Sequence, residues 1–246
     1  MIRVKQKIKN KKRISYSFRL FFLFLVLVFA CIAFMHSSYF AITAVKVEGT
    51  KYLTVRQVLE LCEIEKGANI FSLNYKSLTK QLRTNCWVED VEIKRRRPHK
   101  VIISINEREP LATLIINQKF INVDKQGVAL SNDVFCQDNL PLITGVSYQG
   151  KVVPGRQITG NNLCQVLNSC SLLGEGILSK ISEINLQQKD NLLIYMIDGL
   201  EIRLGGYSDL EKKMKILIPL LQDSQVKNSA IEYVDMRFDR PVIKWR

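Results

Sequence analysis

At 246 residues, 47% of them hydrophobic, the chain is ordinary for a globular protein of one or two domains. Its net charge of +13 is unevenly spread. Arg3, Lys5, Lys7, Lys9, Lys11, Lys12, Arg13 and Arg19 supply eight of those charges, and residues 1–19 hold no acid. This excludes reading the basic balance as a nucleic-acid footprint of the whole protein.

The stretch that follows, Leu20 to Met35, reads "LFFLFLVLVFACIAFM", and no charge appears before Lys46. A membrane-spanning helix needs about 20 apolar residues, which predicts a span over 20–40 with Tyr39 and Phe40 at an interface. The cations lie on one side only, so the positive-inside rule predicts a basic cytoplasmic tail over 1–19 and the remainder outside the membrane. Two rival readings fit less well. A cleaved signal peptide calls for a shorter run and a small-x-small site. Val28-Phe29-Ala30-Cys31 resembles a lipobox, yet Ile32 to Met35 continue the apolar run beyond Cys31.

Beyond the span, Ile42, Val45 and Val47 alternate with polar residues as a strand ending at Gly49. Thr54 precedes a helix with Val55, Val58, Leu59 and Cys62 on one face. Gly67 is a stop signal, and Asn74 caps a second helix carrying Leu78 and Leu82. Val88, Val91 and Ile93 lead into "KRRRPHK", and Val101, Ile103 and Ile105 alternate after it, which predicts a hairpin with a basic tip. Strand, helix, helix, strand, strand in this order predicts a three-stranded sheet with two helices on one face.

Glu107-Arg108-Glu109-Pro110 marks a boundary, and the pattern then turns β-rich. "LATLIIN" and "KFINVD" read as strands, with a turn at Asp124 to Gly127 leading into "VAL". "LPLITGV" follows, then a helix capped by Asn161 or Asn162 and stopped by Gly174. "ISEINLQ", "NLLIYMID" and "LEIRLG" are successive strands, the last two joined at Asp198-Gly199. Ser208 is the expected cap of a helix with Leu210, Met214, Leu217 and Leu221 inward, kinked at Pro219. "IEYVDMRFDRPVIKWR" closes the chain as a last strand and a short extended piece, with Pro241 interrupting the pairing. The expected fold class is α+β: a membrane helix, a small β-α-α-β-β domain over 41–110, and a larger mixed β domain with flanking helices over 111–246.

Chemistry is sparse. There are two histidines, His36 and His99, and six cysteines without Cys-x-x-Cys spacing, so no metal or cofactor is expected. Cys62 and Cys170 fall on apolar helix faces, where a thiol packs as a small hydrophobe. Ser77-Leu78-Thr79-Lys80 matches the Ser-x-x-Lys of penicillin-binding enzymes, but Lys-Thr-Gly is missing and Ser131-Asn132-Asp133 is in the wrong order. A membrane-anchored cell-wall enzyme using Ser77 and Lys80 is the alternative function. The basic tip is a solvated turn, or a contact for lipid headgroups, wall polymer or an acidic partner, and not a site for nucleic acid.

"YFAITAVKVEGTKYLT", "GANIFSLN", "WVEDVEIKRRRPHKVIISINEREPLA" and "YVDMRF", behind a basic tail and one span, resemble the FtsQ/DivIB family of bacterial division proteins over essentially the whole chain. The resemblance implies a POTRA domain and a β domain. It also implies a non-enzymatic scaffold in the inner membrane at the division septum, with FtsB (DivIC)-like and FtsL-like partners and further contacts to other division and septal wall-synthesis proteins. In that family an extended partner segment adds along the terminal strand, using its unpaired N–H and C=O groups. The match places Tyr233, Met236, Phe238, Arg240 and Trp245 at the interface, with Phe238 and Trp245 as apolar anchors, and puts Lys189 near a basic contact. A secretion component with several POTRA units is a further reading, but only one such unit is visible.

Overall fold

A computed structural model describes residues 2–96, 98–130, 139–160, 162–188, 190–223, 231–238 and 240–246, with backbone only for 2–15. The chain divides into two compact units, 1–82 with 91–105 and 83–90 with 106–246. The content is α+β, as expected.

Helix α1 (Ile2–Met35) contains one segment, Tyr16–Met35, long and apolar enough to cross a membrane. None of that segment is buried by protein: Phe21, Phe22, Phe24 and Phe29 are all more than 60% exposed. An apolar surface of this size needs lipid as its solvent. The helix ends at Met35 rather than near Phe40. Ser37 caps a 3-10 turn over Ser38–Phe40, its hydroxyl accepting from Tyr39 N.

The first unit is built on a three-stranded sheet in the order β1 (Ala44–Glu48), β3 (Lys100–Glu107), β2 (Val88–Arg96). β1 and β3 run parallel, with Ala44 opposite Lys100 and Glu48 opposite Ser104. Helix α2 (Val55–Cys62) starts in a capping box. The Thr54 hydroxyl accepts from Gln57 N, and the Gln57 side chain accepts from Thr54 N. Helix α3 (Tyr75–Leu82) is capped by Asn74, whose Oδ1 accepts from Ser77 N at 3.2 Å. Val58, Cys62, Leu78 and Leu82 on the helices and Val91, Val101 and Ile103 on the sheet are all buried. Gly49 is obligatory: its φ is +83°, and a Cβ there would meet the Ile105 carbonyl oxygen at 2.2 Å.

The second unit contains an eight-stranded sheet. In chain order its strands are β4 (Ala112–Ile116), β5 (Lys119–Val123), β6 (Leu142–Thr144), β7 (Ile181–Asn185), β8 (Leu192–Met196), β9 (Glu201–Gly205), β10 (Ile231–Asp235) and β11 (Val242–Trp245). In space the order is β11-β10-β9-β8-β7-β6-β4-β5. The register aligns one apolar row across all eight strands: Ile121, Leu114, Ile143, Ile184, Ile194, Ile202, Val234 and Ile243. Seven of these are 1% exposed or less, and Ile243 at the end is only half-buried. One residue further along each strand the pleat reverses. The neighbouring row from Glu183 to Lys244 is polar or aromatic: Glu183, Tyr195, Glu201, Tyr233, Lys244.

Helices α4 (Leu163–Cys170), α5 (Glu175–Leu178) and α6 (Leu210–Gln222) complete the core with Leu163, Val166, Leu167, Ile177, Met214 and Leu217. Gly174, at φ +71°, ends the turn after α4 as its sequence predicts. Asn162, one of the two expected residues, is the N-cap of α4, though its side chain makes no capping bond; Asn161 lies outside the described residues. The expected cap of α6 is corrected: it is Asp209, not Ser208. Both caps are left-handed, and α6 is tied instead by Lys213, whose Nζ donates to Leu204 O at 2.6 Å. Burial pushes the Cys62 thiol up to about 11 and the Cys170 thiol up to about 12, so neither ionises near neutral pH.

Candidate partner interface at the open sheet border

β10 and β11 pair as a hairpin at the end of the chain. β10 runs parallel to β9, and the pairing extends to Met236, whose N–H donates to Arg203 O at 2.8 Å. Asp235 then turns the chain. Its Oδ1 accepts from the Arg237 backbone N–H at 3.1 Å and from Arg237 Nε at 2.9 Å, and Oδ2 accepts from Nη2. The hydrogen bond from the Arg237 side chain holds the Asp235 carboxyl below its usual value, against the cost of its burial. The aliphatic part of Arg237 crosses Gly205, where a Cβ would lie 2.8 Å from its Cγ. Pro241 follows, and β11 returns antiparallel with Val242 opposite Asp235, Ile243 opposite Val234 and Lys244 opposite Tyr233.

This corrects the expected border. The strand over 231–235 is not open, because the chain's own last residues cover it, and the exposed border is β11. The interruption expected at Pro241 lies elsewhere. Pro241 stands just ahead of β11, where its missing N–H costs no ladder bond, and the irregularity falls between Ile231 and Tyr233. Met236 is also corrected: it is 2% exposed and packs in the core, so it offers nothing to a partner.

The remaining predicted residues separate into a platform and a rim. Tyr233 is half-buried, with the Arg203 guanidinium 3.9 Å and Lys244 Nζ 5.5 Å from its ring centroid. Arg203 is held in turn by Glu201 at 2.7 Å, and Lys244 by Glu232 at 2.9 Å. Phe238, Val242 and Trp245 are 62%, 49% and 52% exposed, and Arg240 is exposed beside them. Lys189 lies outside the described residues. Val242, Ile243 and Arg203 complete the border and were not singled out from sequence. The signal for the first two is legible in hindsight: Asp-Arg-Pro followed by Val-Ile-Lys-Trp is a turn and a short alternating strand.

The opposite border differs. Beyond β5, Leu130 N donates to Asn122 O at 2.8 Å, Asp124 N donates to Val128 O at 3.2 Å, and Val123 bridges Ala129. Among the described residues, no strand pairs with the outer side of β11. Other sequence candidates lie elsewhere. Ser77 is exposed on α3, and among the described residues no hydrogen bond joins its hydroxyl to Lys80. Among the described residues no group of His, Cys, Asp or Glu side chains is placed to hold a metal.

Comparison with known proteins bears on both units. A family model for the FtsQ-type POTRA domain matches residues 40–108. A second, for the C-terminal part of the cell division protein FtsQ/DivIB, matches residues 113–237, about half of the chain. The chain belongs to the FtsQ/DivIB family of cell division proteins. It is similar to the cell division protein DivIB of Clostridium botulinum (strain Hall), 25% identical over 97% of this chain and 92% of that one. It is similar also to the cell division protein FtsQ of Syntrophotalea carbinolica, 24% identical over 89% of this chain and 79% of that one. Among solved structures, the major extracytoplasmic domain of DivIB from Geobacillus stearothermophilus aligns with 45% of this chain and 87% of its own, at 18% identity and a TM-score of 0.34. The apolar span and the family together make this a single-pass membrane division protein.

Proposed function

We propose that this FtsQ/DivIB family member is a non-enzymatic scaffold whose β11 border receives an extended segment of an FtsB/DivIC-like partner. An FtsL-like protein would be held in the same assembly. In this reading the POTRA domain spans about 41–110 and the β domain about 111–246. The N-terminus is cytoplasmic, both domains lie outside the inner membrane, and the assembly helps to position cell-wall synthesis at the septum.

The observation that carries the reading is the outer side of β11, unpaired among the described residues and flanked by exposed Phe238, Val242 and Trp245. Backbone groups on such a border are satisfied by an added strand, and exposed aromatic side chains give the addition selectivity. The register defines the partner's chemistry. An apolar residue placed beside Ile243 extends the buried row by one strand, and a carboxylate or aromatic residue beside Lys244 meets its charge.

The test is binding of the full chain, in detergent, to the FtsB-like protein. Trp245→Ala and Phe238→Ala should each weaken binding by about tenfold or more, and amides 242–246 should become protected from exchange in the complex. Equal binding by both variants and the wild type, with unprotected amides, removes the interface. Covalent labelling of Ser77 by a fluorescent β-lactam removes the non-enzymatic reading.

A further inference from the structure

The basic hairpin tip between β2 and β3 is not used by the interface above, and its position is fixed by an unbroken series of contacts to the end of the membrane helix. Phe34, in the last turn of α1, packs edge-on against Phe40, with centroids 5.3 Å apart. Phe40 packs in the same way on Phe71 at 5.0 Å. The Arg95 guanidinium lies 5.8 Å from the Phe71 centroid and 4.3 Å from that of Tyr75. Hydrogen bonds tie the same parts: the Asn69 side-chain Nδ2 donates to Met35 O at 2.8 Å, and Thr43 N donates to His99 O at 3.1 Å. Because β1 and β3 are parallel, the first residue of β1 after the span, Ala44, stands beside Lys100 of the tip.

The tip therefore sits at the depth of the aromatic residues that mark the water–lipid boundary. Its charge is not balanced locally. Lys94 is paired with Glu92 at 2.7 Å and Lys46 with Glu48 at 2.6 Å, so the strands neutralise themselves away from the tip. Arg96 reaches the Glu48 carboxyl only as a minor influence, after Lys46. Arg95, Arg96 and Lys100 are exposed, and among the described residues none of them has an acidic side chain within salt-bridge distance.

We infer that Arg95, Arg96 and Lys100 form a headgroup-binding surface that grips anionic phospholipid of the same bilayer that α1 crosses. Arg95, stacked on Tyr75, presents a planar fork suited to a phosphodiester, and Arg96 and Lys100 add point attraction. The contact fixes how the first unit stands on the membrane. A wall polymer or an acidic protein would need the tip turned away from lipid, whereas its covalent tether and the Phe34–Phe40–Phe71 stack keep it there. The inference rests on α1 spanning the membrane and is independent of the β11 interface.

The test uses the full chain in nanodiscs of phosphatidylcholine alone or of an equimolar mixture with phosphatidylglycerol, with amide exchange read over 99–102. In the anionic discs these amides should exchange about fivefold more slowly or better, since each basic side chain near such a surface gains roughly that factor. Added salt should abolish the difference. Arg96→Gln with Lys100→Gln, which leaves the Arg95 stack intact, should remove most of it, and Arg96→Lys with Lys100→Arg should restore it. Equal exchange in both lipids, or a difference that the glutamine variant keeps, overturns the inference. Protection in neutral discs on adding polyglutamate, without protection in anionic discs, overturns it in favour of an acidic protein. A chain that enters neither disc overturns the span itself, and the headgroup contact with it.

Discussion

The two borders of the eight-stranded sheet terminate the same apolar row in opposite ways. At one end Ile121 of β5 is buried, and the backbone of 128–130 lies along the strand, with Ala129 and Leu130 also buried. At the other end Ile243 of β11 is half-buried and its neighbours Val242 and Trp245 face solvent. Both ends have the same periodicity and similar residue types. What separates them is the backbone laid beside each. After β5 the chain turns at Asp124 and returns along the strand, whereas among the described residues no strand lies outside β11. Satisfied backbone at one border therefore contributes to stability, while unsatisfied backbone at the other is available for association.

The largest effect should come from undoing the closed border. Asp124 is 3% exposed; its Oδ1 accepts from Gln126 N and Val128 N, and its Oδ2 from Arg108 Nη1. Asp124→Ala strands three donors, one of them charged, and should cost about 3–5 kcal/mol, read as a fall in the urea midpoint. Binding to the FtsB-like protein should be unchanged wherever the variant remains folded. A direct comparison of the row ends comes next: Ile121→Ala should cost about 2–5 kcal/mol, and Ile243→Ala, only half-buried, about 1 kcal/mol. Equal losses would mean that the two ends are packed alike.

Trp245→Ala should reverse this pattern, with a melting temperature close to wild type and partner binding weaker by about 2 kcal/mol, measured by titration calorimetry. The Asp235 turn should respond to pH. A carboxyl held low in the folded state contributes stability that is present above its unfolded value of about 4 and is lost as pH falls from there through the folded value. Thermal melts from neutral to acidic pH should therefore show a drop below about pH 4 that is smaller in Asp235→Asn. The smallest change is expected for Arg203→Met, which removes the cation over Tyr233 and should cost about 0.5–1 kcal/mol.

Most of the architecture was legible because it follows from periodicity. Alternating Val101, Ile103 and Ile105, the 3.6-residue stripe of Val58 and Cys62, and the caps at Thr54 and Asn74 are local signals that the packing reinforces. The start of α6 was not, because Asp209 takes left-handed backbone and the helix is held by Lys213 reaching Leu204. The border itself was half legible. Phe238 and Trp245, placed at the interface by the family resemblance, are exposed, but which strand is outermost depends on Asp235 folding the chain back through Arg237. A bond between residues two apart looks like an ordinary surface ion pair in sequence. Met236 failed for a related reason: it continues the pairing with β9 by one residue, which places its side chain inside.

An irregularity noted in the terminal hairpin bears on a hazard that any unpaired ribbon carries. Glu232 is the extra residue between the pairs Ile231–Trp245 and Tyr233–Lys244, and such insertions coil a ribbon more tightly than its neighbours. Two identical coiled ribbons, each bearing Lys244 and shortened by Pro241, do not lie flat against one another, so homotypic fibre growth is discouraged. A flexible polypeptide of different sequence can follow the same curvature, and the defect thereby separates guest from twin.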